Sequence, residues 1–303
     1  EAMAAERLGK EAALLVVTGT MGNLVSLLTH CGRGDEAIIG DRSHTLLYEQ
    51  GGMAALGGIS PYPVANQPDG TMRLDEIERA IRADDVHAPR SRLICLENTH
   101  NVCNGAPLTA AYTAQVVRLA RAHHLAVHVD GARIFNAATA LGVDASELVR
   151  DVDSVTFCLS KGLSAPVGSV ICGSRAFIAE ARRMRKVVGG GMRQAGVLAA
   201  AGIVALEQIA PRLAEDHARA RRLAEGLAEL PGVEVAPVYT NILYFSLAKG
   251  ANKTTDQVTA ALAQRGVRVS GRKDGRIRAV THYWITDEGI ERAIAAMRDV
   301  MAA

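Results

Sequence analysis

The stretch Leu125-Ala-Val-His-Val-Asp130-Gly131-Ala132-Arg133 is a short apolar run, rich in Val, that stops at a carboxylate followed by Gly. Runs this short, bounded by turn residues, predict strands of a sheet covered on both faces. The pattern recurs at Ala13–Val17, Ala37–Ile39, Arg92–Leu96, Ser154–Leu159 and Gly168–Cys172, and amphipathic segments near 21–30, 44–51, 74–82, 110–124 and 174–188 alternate with these strands as predicted helices. Such alternation predicts an α/β fold with a mostly parallel central sheet flanked by helices. From about 197 the pattern changes to one helical stretch, Val197 to Leu230, with Pro211 as its candidate break. Strands near Val233–Val235, Ile242–Ser246, Val267–Val269 and Arg276–Thr281 follow, with helices at 254–265 and 286–302. The expectation is a large domain over 1–200 and a smaller C-terminal α+β domain over 201–303.

Composition narrows the function classes. The 303 residues are 49% hydrophobic and 22% charged, which excludes disorder and collagen. With 34 Lys+Arg against 32 Asp+Glu the net charge is +2, too small a field to draw in nucleic acid or an anionic membrane, so neither is expected as a partner. The longest stretches without charge, 12–31 and 50–68, are broken by Gly and Pro and do not read as membrane spans. Five cysteines form no C-x-x-C pair, which fits a reducing, cytoplasmic compartment. The chain opens at Glu1 inside a helical pattern with no initiator Met or signal peptide, so the true N-terminus is expected upstream. Gly32-Arg-Gly34-Asp-Glu-Ala37 matches a dinucleotide pattern but precedes its strand, and no nicotinamide cofactor is inferred. Nine histidines show no zinc-ligand spacing, and no metal is expected. The basic run Arg182-Arg183-Met184-Arg185-Lys186 reads as a solvated helix face.

Of six lysines, only Lys161 lacks a charged neighbour, lying between Asp153 and Arg175 just after the strand Ser154–Ser160. A lysine against apolar surroundings loses its proton readily, and the neutral amine attacks carbonyls. A lysine snorkelling from a strand end accounts for this context equally well. Asp130, at the end of its own strand, stands where ligands of open α/β sheets bind, although Asp-Gly is more commonly a turn. Together the two residues meet a specific need. Pyridoxal 5′-phosphate (PLP) requires an amine for its aldehyde and an acid that keeps its ring nitrogen protonated. Its phosphate requires a cradle, and Thr18-Gly19-Thr20 runs from a strand into a helix, presenting backbone N–H groups and a hydroxyl. A Gly-rich run, Gly189-Gly190-Gly191-Met192-Arg193-Gln194, brings a guanidinium that can serve the same phosphate. Each motif alone has an ordinary structural reading.

Taken in order, Thr18-Gly19-Thr20, Asp130-Gly-Ala-Arg133, Ser160-Lys161-Gly162 and Gly189-Gly-Gly-Met-Arg193-Gln194 resemble the L-threonine aldolases, PLP lyases with the aspartate-aminotransferase type of fold (fold type I). The likeness extends to Leu96-Glu97-Asn98-Thr99-His100-Asn101 and Arg278-Ala-Val-Thr281-His282. The resemblance implies that Lys161 bonds the PLP aldehyde, that Asp130 partners the ring nitrogen, and that Gly19, Thr20 and Arg193 contact the phosphate. It also implies that His44 stacks on the ring near the substrate hydroxyl, that Arg133 and Arg278 grip the substrate carboxylate, and that His87 reaches the hydroxyl side of the pocket. Two departures stand out. Family members carry a further N-terminal arm with an Arg-Ser-Asp-Thr stretch whose Ser helps hold the carboxylate, and this sequence has none. The segment Val102-Cys103-Asn104-Gly105-Ala106-Pro107 replaces a shorter or paired-glycine loop.

The activity implied is cleavage of L-threonine or L-allo-threonine, a small β-hydroxy-α-amino acid, to glycine and acetaldehyde, with His44 or His87 as the base for the hydroxyl proton. A homotetramer made of two dimers, with active sites at the dimer interface, is implied by the same resemblance. Lys161 and Asp130 would equally serve a hydroxymethyltransferase, an aminotransferase, a β-eliminating lyase or a PLP-binding homologue without turnover. His44, His87 and the arginine pair discriminate among them.

Overall fold

The computed structural model describes residues 1–302. Seven strands, β1 (Ala12–Val16), β2 (Asp35–Gly40), β3 (Ser60–Val64), β4 (Arg90–Glu97), β5 (Ala126–Asp130), β6 (Ser154–Cys158) and β7 (Ser169–Gly173), form one sheet in the order β1-β7-β6-β5-β4-β2-β3. All neighbours from β3 through β6 pair in parallel, whereas β7 is antiparallel to both β6 and β1. Every residue of β6 and β7 is buried, as expected for strands covered by helices on both faces. A second sheet of β8 (Val233–Val235), β9 (Ile242–Leu247), β10 (Ser270–Gly271) and β11 (Ile277–Val280) is antiparallel, in the order β10-β11-β9-β8. It packs with the helices Thr255–Gln264 and Asp287–Ala302 around a core of its own. The fold is a mostly parallel α/β sheet with a smaller α+β part behind it.

Two strand readings depart from expectation. The strand β3, Ser60-Pro-Tyr-Pro-Val64, goes unrecognised in the sequence because Pro61 and Pro63 have no N–H for a ladder. It is tolerated because β3 is the outermost strand. Conversely, Val267–Val269 is not a strand. Gly266, at φ 79°, ends the preceding helix, and Val267 donates its N–H back to Leu262 at 2.9 Å, so this backbone caps a helix and leaves only Ser270–Gly271 to pair with β11.

Pro211 does break the long helical stretch. Helix Gly196–Val204 passes through a π-helical turn, Ala205–Ile209, and a 3-10 turn, Ala210–Arg212, before Leu213–Ala228 resumes. These turns accommodate a residue that cannot donate. The stretch Gly196–Ala228 is long and apolar enough to cross a membrane by length and composition, a feature that the windows 12–31 and 50–68 do not contain. In this fold it connects the two cores. Ala205, Leu206 and Leu213 pack into the first, Leu223 and Leu227 into the second.

Candidate active site

Parallel strands deliver their C-terminal ends to one edge of the sheet, where the following loops collect. Val16, Gly40, Glu97, Asp130 and Cys158 are the last residues of β1, β2, β4, β5 and β6, so the segments holding Gly19, His44, Asn101, Arg133 and Lys161 all start from that edge. Helix Gly19–His30 begins there with Thr18 as its cap, its Oγ1 accepting the Met21 N–H at 3.1 Å. A Cβ on Gly19 would stand 2.8 Å from Cys158 Sγ, so a glycine is needed for the helix to start this close to β6. Thr20, in the first turn, is exposed.

Asp130 is 5% exposed. Its Oδ1 accepts the Ala132 N–H at 3.0 Å, and its Oδ2 accepts from Asn23 Nδ2 at 2.8 Å. Asn23 Nδ2 also donates to Glu49 Oε1 at 2.9 Å, which in turn lies 2.9 Å from His44 Nδ1. Ligand atoms of His44, Glu49 and Asp130 thus lie within 4.8 Å of one another. The His44 imidazole holds its proton more tightly than an ordinary histidine, chiefly because the buried Glu49 carboxylate accepts its N–H, with Asp130 adding to the effect and the positive charge of Lys161 opposing it. Lys161 therefore sits within electrostatic reach of His44, half-buried in the turn after β6. That turn presses on the helix Ile134–Leu141, since a Cβ on Gly162 would meet Asn136 Oδ1 at 2.5 Å.

Glu97 ties the two sides together. Its Oε2 accepts the His44 N–H at 2.6 Å and its Oε1 the Asn101 N–H at 2.8 Å. Asn101 Oδ1 then accepts from Arg278 Nη2 at 2.9 Å, which joins β11 of the smaller sheet to the site. Among the described residues, Arg133 Nε and Arg278 Nε are buried without partners. Burial, and after it the positive charge of Arg278, pulls Arg133 down to about 10.

The remaining expectations fall as follows. Gly190 packs against Met21 in the first turn of helix Gly19–His30, which brings the Gly-rich run beside that helix start, and Arg193 within the run is exposed. His87 lies apart from these groups. It is 88% exposed, bonded to Asp85 Oδ1 at 2.7 Å, and it precedes β4. The loop before a parallel strand lies at the opposite edge from the loop after it, on the order of 20 Å away for a strand of this length. Within one chain the structure does not bring His87 to the site. Sequence reading also missed Asn23 and Glu49, and it assigned no role to Glu97 and Asn101 although both lie in the stretch Leu96–Asn101 that carries the resemblance.

A family model for beta-eliminating lyases matches residues 1–249. The chain belongs to the beta-eliminating lyase family. Among its curated relatives is low-specificity L-threonine aldolase 1 of Arabidopsis thaliana, 46% identical over 98% of this chain and 84% of that protein. The low specificity L-threonine aldolase of Escherichia coli strain K12 is 44% identical over 99% of this chain and 87% of its own length. The solved threonine aldolase of Leishmania major shares the fold, with a TM-score of 0.81 at 22% identity over 98% of this chain and 87% of that one.

Membership of the beta-eliminating lyases implies PLP as cofactor, and the residues present fit it. The donor set is the right one: an amine in Lys161, a buried carboxylate in Asp130 held by two donors, and a helix start at Gly19 and Thr20. Two buried guanidinium nitrogens without partners, on Arg133 and Arg278, match the carboxylate that an amino-acid substrate brings.

Proposed function

We propose that this chain cleaves L-threonine or L-allo-threonine between Cα and Cβ to give glycine and acetaldehyde. The observation that carries this reading is the His44 imidazole, backed by Glu49, within reach of both Asp130 and Lys161. Transamination or decarboxylation needs no base for a β-hydroxyl, whereas an aldol cleavage does.

When bound, PLP supplies an aldehyde for the amine of Lys161 or of the substrate, and a ring that accepts the electrons released at Cα. In this reading Asp130 keeps the ring nitrogen protonated, while Gly19 and Thr20 at the helix start, with Arg193, hold the phosphate. Arg133 and Arg278 take the substrate carboxylate, whose negative charge relieves their mutual repulsion. That grip turns the Cα–Cβ bond toward the geometry in which it breaks. His44 removes the β-hydroxyl proton through Nε2, because its Nδ1–H is already given to Glu49. His87 takes no part within a single chain.

Residues 1–200 make up the cofactor-binding domain in this proposal and 201–303 the smaller one, a division supported by the two sheets. A homotetramer of two dimers is the proposed assembly. Exposed apolar side chains at Met192, Val197, Ile203 and Val204 support a covered face there. A cytoplasmic location is supported by the five cysteines, all free and buried.

The test is an absorbance scan of the purified chain with PLP, followed by L-threonine or L-allo-threonine in a coupled acetaldehyde assay, with Lys161→Ala as control. A visible band and acetaldehyde from wild type alone is the expected result. A band without acetaldehyde would shift the reading to another PLP reaction, and no band would overturn the role of Lys161.

A further inference from the structure

Helix Gly19–His30 and strand β5 meet along a line of polar side chains. Asn23 and His30 are seven residues apart, two helical turns, and share one side of the helix. His128 and Asp130 are two apart on β5 and share one face of the sheet. Ser154, the ladder partner of His128 on β6, completes the line. His30 Nε2 lies 2.7 Å from Ser154 Oγ, which lies 2.8 Å from His128 Nδ1. His128 Nε2 is 3.3 Å from Asn23 Oδ1, and Asn23 Nδ2 reaches Asp130 at 2.8 Å and Glu49 at 2.9 Å. The line runs from the N-terminal edge of the sheet to the candidate active site.

The acids at its inner end orient every proton in it. A carboxylate only accepts, so the Asn23 NH2 must face Asp130 and Glu49, since the reversed amide would set its oxygen against both. Its carbonyl then needs a donor, which makes His128 an Nε2–H tautomer with Nδ1 bare. That bare nitrogen accepts the Ser154 hydroxyl proton, and the Ser154 oxygen accepts from His30 Nε2–H. All donors point toward the two carboxylates, an arrangement in which each bond polarises the next. Both rings are neutral in support of this order, because burial pushes His128 down to about 3 and His30 down to about 4.

We propose that His128 is a positioning residue: held by Ser154 and His30 as its Nε2–H tautomer, it locks the Asn23 amide so that Asp130 and Glu49 keep the orientation and charge the site requires. The role rests on the reading of Asp130 as partner of the PLP ring nitrogen. His128 is buried and reaches the site through Asn23. A merely structural histidine in the same place would contribute to melting temperature without altering the ring nitrogen's environment.

The experiment uses the full chain in three measurements. Ring-nitrogen NMR of the cofactor-free, 15N-histidine-labelled protein reads the tautomers, and the expected result is Nε2–H for both His128 and His30. PLP affinity and the position of the visible band are then compared for wild type, Ser154→Ala, His128→Leu and His128→Gln. Loss of the directed bonds is expected to weaken PLP binding about tenfold and displace the band in Ser154→Ala and His128→Leu. His128→Gln, which retains a donor toward Asn23 and an acceptor toward Ser154, is expected to restore both. If His128→Leu fails to fold, Ser154→Ala, which removes one oxygen, still decides. An Nδ1–H tautomer at His128, or unchanged affinity and band in folded Ser154→Ala, would overturn the role of His128 alone. Failure of wild type to bind PLP would overturn the cofactor reading, and with it this role, while the tautomer measurement would still report on the line itself.

Discussion

Arg133 and Arg278 place two like charges in one site, where the Glu97 carboxylate offsets only part of the effect on Arg133. Each has a buried Nε without a partner, and the charge of Arg278 lowers the proton affinity of Arg133 beyond the effect of burial. Arranged this way the two guanidiniums cost stability until an anion joins them.

Substituting either arginine should therefore affect binding more than folding. Arg278→Lys keeps a charge and loses the planar fork, and Arg133→Leu loses both. The expected outcome is a KM for L-threonine raised roughly 10- to 100-fold, with a melting temperature equal to or above wild type. Steady-state kinetics and calorimetry check the pair. An unchanged KM would exclude these residues from carboxylate binding.

His44 and Glu49 make a separable prediction. His44→Phe should lower kcat on the order of 100-fold or more, the usual effect of removing a general base. The base acts unprotonated, and Glu49 raises its proton affinity above the ordinary value of 6.5, so the acid limb of the rate profile should lie above that pH. Glu49→Gln should move that limb to lower pH. A limb that stays in place in Glu49→Gln would separate the two residues.

Acid should unfold the protein through three histidines. Burial pushes His30 and His217 down to about 4 and His128 down to about 3, against 6.5 for an exposed imidazole. Below pH 6.5 the unfolded chain binds protons that the folded chain refuses, so the stability these neutral rings contribute is complete above that pH. It falls as pH drops toward about 4, by about 1.4 kcal/mol per pH unit for each histidine. Denaturant unfolding between pH 7 and 4.5 measures the slope, and His217→Asn should reduce it by one proton.

Gly19 should resist substitution for a packing reason. In Gly19→Ala the new methyl meets Cys158 Sγ, a buried atom, and the expected loss is about 1–3 kcal/mol together with weaker PLP binding. Repeating the change in a Cys158→Ala background should recover most of both losses. No recovery would mean that the glycine is needed for another reason.

Much of this protein was determined by sequence alone. The parallel sheet was legible because strands buried on both faces carry short uninterrupted apolar runs, as β2 does at Ala37–Ile39 and β4 at Leu93–Leu96. Lys161, Asp130, Gly19 and Thr20 were legible because each ends or follows such a strand, and order along the chain then places them at one edge. The same logic, applied to direction, would have put His87 at the far edge, since it precedes its strand.

Tertiary structure alone decided the partnerships. Asn23 reaches Asp130 across 107 positions, and Arg278 reaches Asn101 across 177. Periodicity describes which face a residue occupies but not which distant residue meets it there. The proton order from His30 to Asp130 follows only after six side chains, five from one helix and two strands and Glu49 from the loop after His44–Leu47, are placed within hydrogen-bond distance. Two of the acceptors are then carboxylates, which leaves the chain of donors one direction to take.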